Sequence, residues 1–260
     1  MASLKSITDS LFSFLKKENQ EELPDIFSSH KYPIRKHHRH VLKGTDVGFV
    51  NPDSSVKFPL ADLSYGGLGI IGQEIKLRPF TNRYKQFECV ISILDNKVAI
   101  SLEIIYVDKE IVGCKFFNQR PEQETFLKHV LSYMDAGVIA RIIDQATLPE
   151  VFHGPQWVSY GNEDGTLEVH IRHDDKGQAD QISVAYLVNK TKFYSIIDPQ
   201  KSTVGIADGR ALDTYEQQDV LRNCIYILAG LHQHVTTSEI LQSIKYAKMA
   251  LSDEKMRFCS

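Results

Sequence analysis

Hydrophobic and polar positions change period four times along the chain. At residues 2–19, Leu4, Ile7, Leu11 and Phe14 or Leu15 recur at helical spacing, which predicts one amphipathic helix closed by Pro24. Short runs with tight turns come next. Residues 41–50 and 55–63 flank Asn51-Pro52-Asp53, and Gly66-Gly67 precede a loose alternation over 68–77. Residues 86–94 and 98–107 flank Asp95-Asn96-Lys97, and 110–117 comes after one more turn. About six short strands at this spacing predict a meander or small barrel. The helical period then returns. Asn118 can cap a helix whose first turn holds Pro121, Glu122 and Glu124. Leu127, Val130, Leu131, Met134, Val138 and Ile142 form its apolar stripe.

Past residue 145 the pattern changes again. Thr147–Gly154 reads as a linker with Pro149 and Gly154. Strands are predicted over 156–160, 166–172, 182–188 and 192–198, and Gly205–Gly209 reads as a turn. Two helices close the chain. Thr214 with Gln217 and Thr236 with Glu239 each fit a capping box. Leu221, Cys224, Leu228 and Leu231 stripe the first helix, and Ile240, Ile244, Ala247 and Leu251 the second. The expected organisation is a helical segment over 1–29, a β-barrel with its helix over 30–145, and an α+β output region over 146–260.

Composition narrows the class. The 260 residues are 42% hydrophobic and 24% charged, the balance of a globular protein with a core. A net charge of -3 gives no global attraction to nucleic acid or anionic membrane, so any basic function is local. Cys89, Cys114, Cys224 and Cys259 form no CxxC pair and read as reduced thiols of a cytoplasmic protein. No signal peptide is expected from the first residues, and no apolar run reaches the length of a membrane span.

The local charge lies between Ser28 and Gly44, where Lys31, Arg35, Lys36, Arg39 and Lys43 occur with no acid. Arg35 and Arg39 bring two guanidinium forks close together, each able to hold phosphate oxygens or the O6/N7 edge of guanine. About twenty residues later stand Asp62, Ser64, Gly66 and Gly67. A carboxylate there can accept from the N1–H and N2–H of guanine, Ser64 offers a hydroxyl donor, and the glycines let the chain turn and a ligand lie close. Both clusters read as one nucleotide site.

Arg35-x-x-x-Arg39 followed by Asp62-x-Ser64-x-x-Gly67 resembles the PilZ domain family. Val112-Gly113-Cys114-Lys115-Phe116 resembles that family's last barrel strand, and the helix from about 121 its C-terminal helix. The resemblance covers roughly 30–145. It implies a six-stranded antiparallel barrel that binds cyclic di-GMP. Arg35 and Arg39 would hold phosphates and Hoogsteen edges, Asp62 and Ser64 a guanine edge, and Gly67 the turn. Lys36 and Gly66 lie inside the motifs and are counted with the site, although the family pattern does not require Lys36. His37, His38 and His40 crowd the loop, and their protonation would make affinity depend on pH.

Elsewhere, His170, His173, Asp174 and Asp175 have metal-ligand chemistry. On a strand, however, positions 170 and 173 face opposite ways, so no metal is expected. No nucleophile–base set or phosphate loop is found, so the chain is not read as an enzyme and no cofactor is expected besides the ligand. The function expected is a bacterial, cytoplasmic cyclic di-GMP receptor. It would change conformation and signal to a protein partner in motility, adhesion or secretion, and a homodimer is compatible with that. A cyclic di-GMP-responsive transcription regulator is the alternative. The second half has no basic recognition helix, which makes nucleic acid the weaker partner.

Overall fold

A computed structural model describes residues 40–41, 48–50, 57–72, 74–78, 81–94, 96–108, 110–199, 202–235 and 238–252. Outside them lie the expected helix over 2–19, the extended Tyr32-Pro33-Ile34, Arg35, Lys36, Arg39, His37, His38, the Asn51-Pro52-Asp53 turn and the Thr236 cap. The chain divides into two compact units between Ser132 and Tyr133.

Among the described residues the first unit has seven strands: β1 (His40–Val41), β2 (Gly48–Val50), β3 (Lys57–Ser64), β4 (Gly67–Ile71), β5 (Gln86–Ile93), β6 (Asn96–Val107) and β7 (Ile111–Phe116). All pairings are antiparallel. From β3 they run through β2, β5, β6, β7 and β4, and β4 pairs with β3 again. The expected six-stranded barrel is thus a curled antiparallel sheet. Its two ends meet where β3 pairs with β4, and the described ladders of β2 have three residue pairs each, against eight between β5 and β6. Alternation fills the inside. Phe87, Cys89, Ile91 and Ile93 of β5 are all buried, with Leu68 and Ile70 from β4 and Val112 and Cys114 from β7.

The strand expected to continue to 77 stops at Ile71. Gly72 turns the chain, and Glu74–Leu77 is a short helix, α1, with Leu77 buried. A second helix, α2, spans Pro121–Ile139. Asn118 does not cap it. That residue has φ 46°, and the first turn is instead met by Gln123, whose Oε1 accepts from the Arg120 amide at 2.7 Å. Ile142 is not on its stripe either. It sits in the short strand β8 (Arg141–Ile142) and is 75% exposed.

The second unit is a six-stranded antiparallel meander in the order β13-β12-β11-β10-β9-β8. Its strands are β9 (Trp157–Gly161), β10 (Leu167–His173), β11 (Ala179–Val188), β12 (Thr191–Ile197) and β13 (Ser202–Ile206), beside β8. The expected linker 147–154 carries two 3-10 turns, Gln145–Thr147 and Glu150–Phe152, and Phe152 is buried against Trp157 and Ile196. Gly205 lies within β13 rather than in a turn, because Tyr194 across the ladder fills the space above it.

Helices α3 (Thr214–Leu231) and α4 (Ser238–Ser252) complete the unit. The α3 cap is one residue earlier than expected. Asp213 and Glu216 form the reciprocal box, with Oδ1 accepting from the Glu216 amide at 2.8 Å and Oε2 from the Asp213 amide at 3.0 Å. The C-terminal turns of α2 approach α3 so closely that a Cβ on Gly137 would meet the Ile227 carbonyl and one on Gly230 the Met134 carbonyl.

Candidate functional site

Strand β3 must bury leucines and still present a carboxylate outward. Strict alternation would put Leu60 and Asp62 on the same face. The ladder with β4 slips by one residue between them: Leu60 pairs with Ile70, but Asp62 pairs with Gly69. This bulge at Ala61 re-aims the strand. Leu60 and Leu63 both point into the core, and Asp62 and Ser64 share the opposite face by alternation, although Ser64 is itself buried.

Register then lays out that outer face. One row crosses Val41, Asp62, Gly69, Gly113 and Tyr106. The next crosses Ser64, Gly67, Lys115 and Glu103. The row of opposite parity (His40, Leu63, Leu68, Cys114, Ile104) is buried throughout. Three glycines therefore floor the patch, and each is there for a physical reason. A Cβ on Gly67 would run into the Cys114 carbonyl. One on Gly69 would stand 2.9 Å from Asp62 Oδ2, so the carboxylate lies over bare backbone. One on Gly113 would collide with the Tyr106 ring.

The Asp62, Ser64, Gly66 and Gly67 of the motif are thus brought together at one hairpin. Their roles differ from expectation in two details. Ser64 and Gly67 are register partners around the two-residue turn Tyr65-Gly66, yet neither Gly66 nor Gly67 takes a positive φ. Glycine at 67 answers close approach to β7, not the turn. The Ser64 hydroxyl donates to the Gly67 carbonyl at 3.0 Å and the residue is buried, so its proton is committed within the hairpin and not offered outward. The Gly66 carbonyl accepts from the Phe116 amide at 3.1 Å, which ties the turn to β7. Lys115 reaches Glu103 at 3.2 Å on the same face.

The three basic residues Arg35, Lys36 and Arg39 lie outside the described residues. Strand β1 fixes where their segment leads. His40, one peptide bond after Arg39, pairs with Leu63, the residue between Asp62 and Ser64. His40 is completely buried, so it is a strand residue and not part of a solvated histidine loop. Sequence reasoning does not single out Gly69, Gly113 or Tyr106 as site residues. The Gly67-Leu68-Gly69 spacing is a usable signal, because glycines two apart on a strand bare one face.

In the second unit, His170 is 1% exposed and His173 lies on the other face of β10, past the bulge at the strand's end. The His170 ring stacks on Phe152 at 3.8 Å, and its Nδ1 meets Ser159 Oγ at 2.8 Å. Among the described residues no group of three or more His, Cys, Asp or Glu side chains could hold a metal ion. No helix among them is long and apolar enough to cross a membrane. Compared with known proteins, residues 33–133 match the family model of the PilZ domain, and residues outside that span match no other family. No curated protein matches the chain.

Proposed function

We propose that this chain, which carries a PilZ domain over residues 33–133, is a receptor for cyclic di-GMP that signals to a protein partner. The PilZ family is one of cyclic di-GMP-binding receptors, generally without enzymatic activity. One observation carries the reading to this chain: His40 sits opposite Leu63, so the strand leaving Arg35-x-x-x-Arg39 arrives beside Asp62 and Ser64. The strand that follows the phosphate-binding forks is then one ladder step from the strand that carries the guanine-accepting edge.

Each group has a task that its chemistry suits. Arg35 and Arg39 neutralise phosphate with paired hydrogen bonds, and Lys36 adds charge. Asp62, over the Gly69 backbone, accepts from N1–H and N2–H of guanine, a pattern adenine lacks. Ser64 accepts a further N–H, and Gly66 and Gly67 keep the hairpin flat against β7. Occupancy shifts the population toward a state with the arginine segment held on the curled sheet. Motility, adhesion or secretion is the process such a partner would serve, in the bacterial cytoplasm. The DNA-binding alternative gains nothing from α3, which is buried from Val220 to Leu231 and cannot enter a groove.

Calorimetric titration tests this. Wild type should bind cyclic di-GMP, discriminate against cyclic di-AMP, and melt at a higher temperature when loaded. Arg35→Ala and Asp62→Ala should each weaken binding about tenfold or more, the worth of a charged hydrogen-bonding group. Absence of both heat and melting shift in wild type, or wild-type affinity in both variants, ends the proposal.

A further inference from the structure

Asp62 and Tyr106 come from strands three steps apart, β3 and β6, yet their side chains converge. The Asp62 carboxylate leans over Gly69 on β4, and the Tyr106 ring covers Gly113 on β7. Gly69 and Gly113 are register partners. The two side chains therefore rest over adjacent strands, whose backbones are about 5 Å apart. Tyr106 is 40% exposed, and Ile105 and Val107 beside it are exposed as well. A partly exposed aromatic ring stands across a glycine floor from a carboxylate suited to guanine.

Resting on the receptor reading above, we propose that Tyr106 forms the second wall of the nucleotide site, offering its ring to the purine whose edge Asp62 accepts. Asp62 stands over the β4 side of the glycine floor, and Tyr106 closes the β7 side. Its phenol adds a polar end to an apolar body, which suits the boundary between a base and its ribose.

A purely structural role predicts something different. Tyr194 covers Gly205 in the second unit in the same way, filling the space that a strand glycine leaves. Tyr194→Ala is therefore the control for the loss of such a cover. It should lower the melting temperature and leave cyclic di-GMP affinity unchanged.

The test is calorimetric titration of cyclic di-GMP into the full chain. Tyr106→Ala should weaken binding about tenfold, the usual effect of removing one base-stacking aromatic, and Tyr106→Phe should stay within about threefold of wild type. Tyr106→Leu covers Gly113 without an aromatic face, keeps the test open if the alanine variant fails to fold, and should also bind weakly. If Tyr106→Leu or a folded Tyr106→Ala binds like wild type while Asp62→Ala does not, the wall is overturned and the receptor reading stands. If wild type itself gives no binding, both fall.

Discussion

Gly67 and Gly69 stand two residues apart on one face and answer to different neighbours. The Gly67 position is closed by backbone, the Cys114 carbonyl, which cannot step aside. Gly67→Ala should cost about 2 kcal/mol or more of stability, as overpacking against main chain does, and a urea titration would register it. The Gly69 position is closed by the end of a side chain, Asp62. Gly69→Ala should melt near wild type but bind cyclic di-GMP poorly, because the carboxylate must move. Full affinity in that variant would mean that the Asp62 carboxylate does not touch the ligand. The thiols behind this floor are inert. Burial, with Cys114 and Glu88 nearby, pushes the Cys89 thiol far up, and burial raises Cys114 to about 12. Burial likewise raises Cys224 well above its ordinary range. None of the three should react with iodoacetamide at pH 8 until the protein is unfolded, since the thiolate is the reactive form.

Among the elements, local composition located most strands and non-local register located the rest. Runs such as QFECVISI announce themselves by alternation, and β5 and β7 lie where the pattern puts them. The bulge at Ala61 was not legible, because it exists only in the mismatch between β3 and β4. Strand β13 was hidden for a related reason: a glycine in a strand reads as a turn until the tyrosine above it is known. The Asp-x-Ser spacing is legible because both side chains belong to one strand and one face. Its glycine seat and aromatic neighbour belong to β4, β7 and β6. Helix starts show a milder form of the same limit. Both Asp213-x-x-Glu216 and Thr214-x-x-Gln217 fit a box, and the carboxylate wins, being a strong acceptor at the positive end of the helix. Asp213→Ala should cost about 1 kcal/mol in urea unfolding, and an unchanged midpoint would remove that cap from the account.

At the scale of the whole molecule, the second unit has a buried charged cluster. Lys192 Nζ lies 3.6 Å and His170 Nε2 3.9 Å from Glu168 Oε2, all three side chains about nine-tenths buried or more. Burial pushes the Glu168 carboxyl up, but His170 and Lys192 together more than offset it, and the net shift is down. Neither contact is short enough for a hydrogen bond, and Lys192, the nearer of the two, is the firmer partner. A depressed carboxyl stabilises the fold above its unfolded pKa of about 4.3, and that contribution is lost as pH falls through the lower folded value. Glu168→Gln should therefore cost about 3 kcal/mol at pH 7, as breaking a buried pair does, with the gap to wild type closing toward pH 3. A gap that stays constant with pH would mean the carboxyl is not ionised in the fold.

The pairing of His40 with Leu63 has a kinetic corollary. A messenger held by Arg39 on one side and Asp62 on the other would act as a rivet across the seam between the first and third strands. At a hundred times its dissociation constant, a ligand specific for the closed form slows opening-limited amide exchange about a hundredfold. Deuterium uptake at His40 and Val41 would then record how much second messenger the protein has met, one rivet at a time.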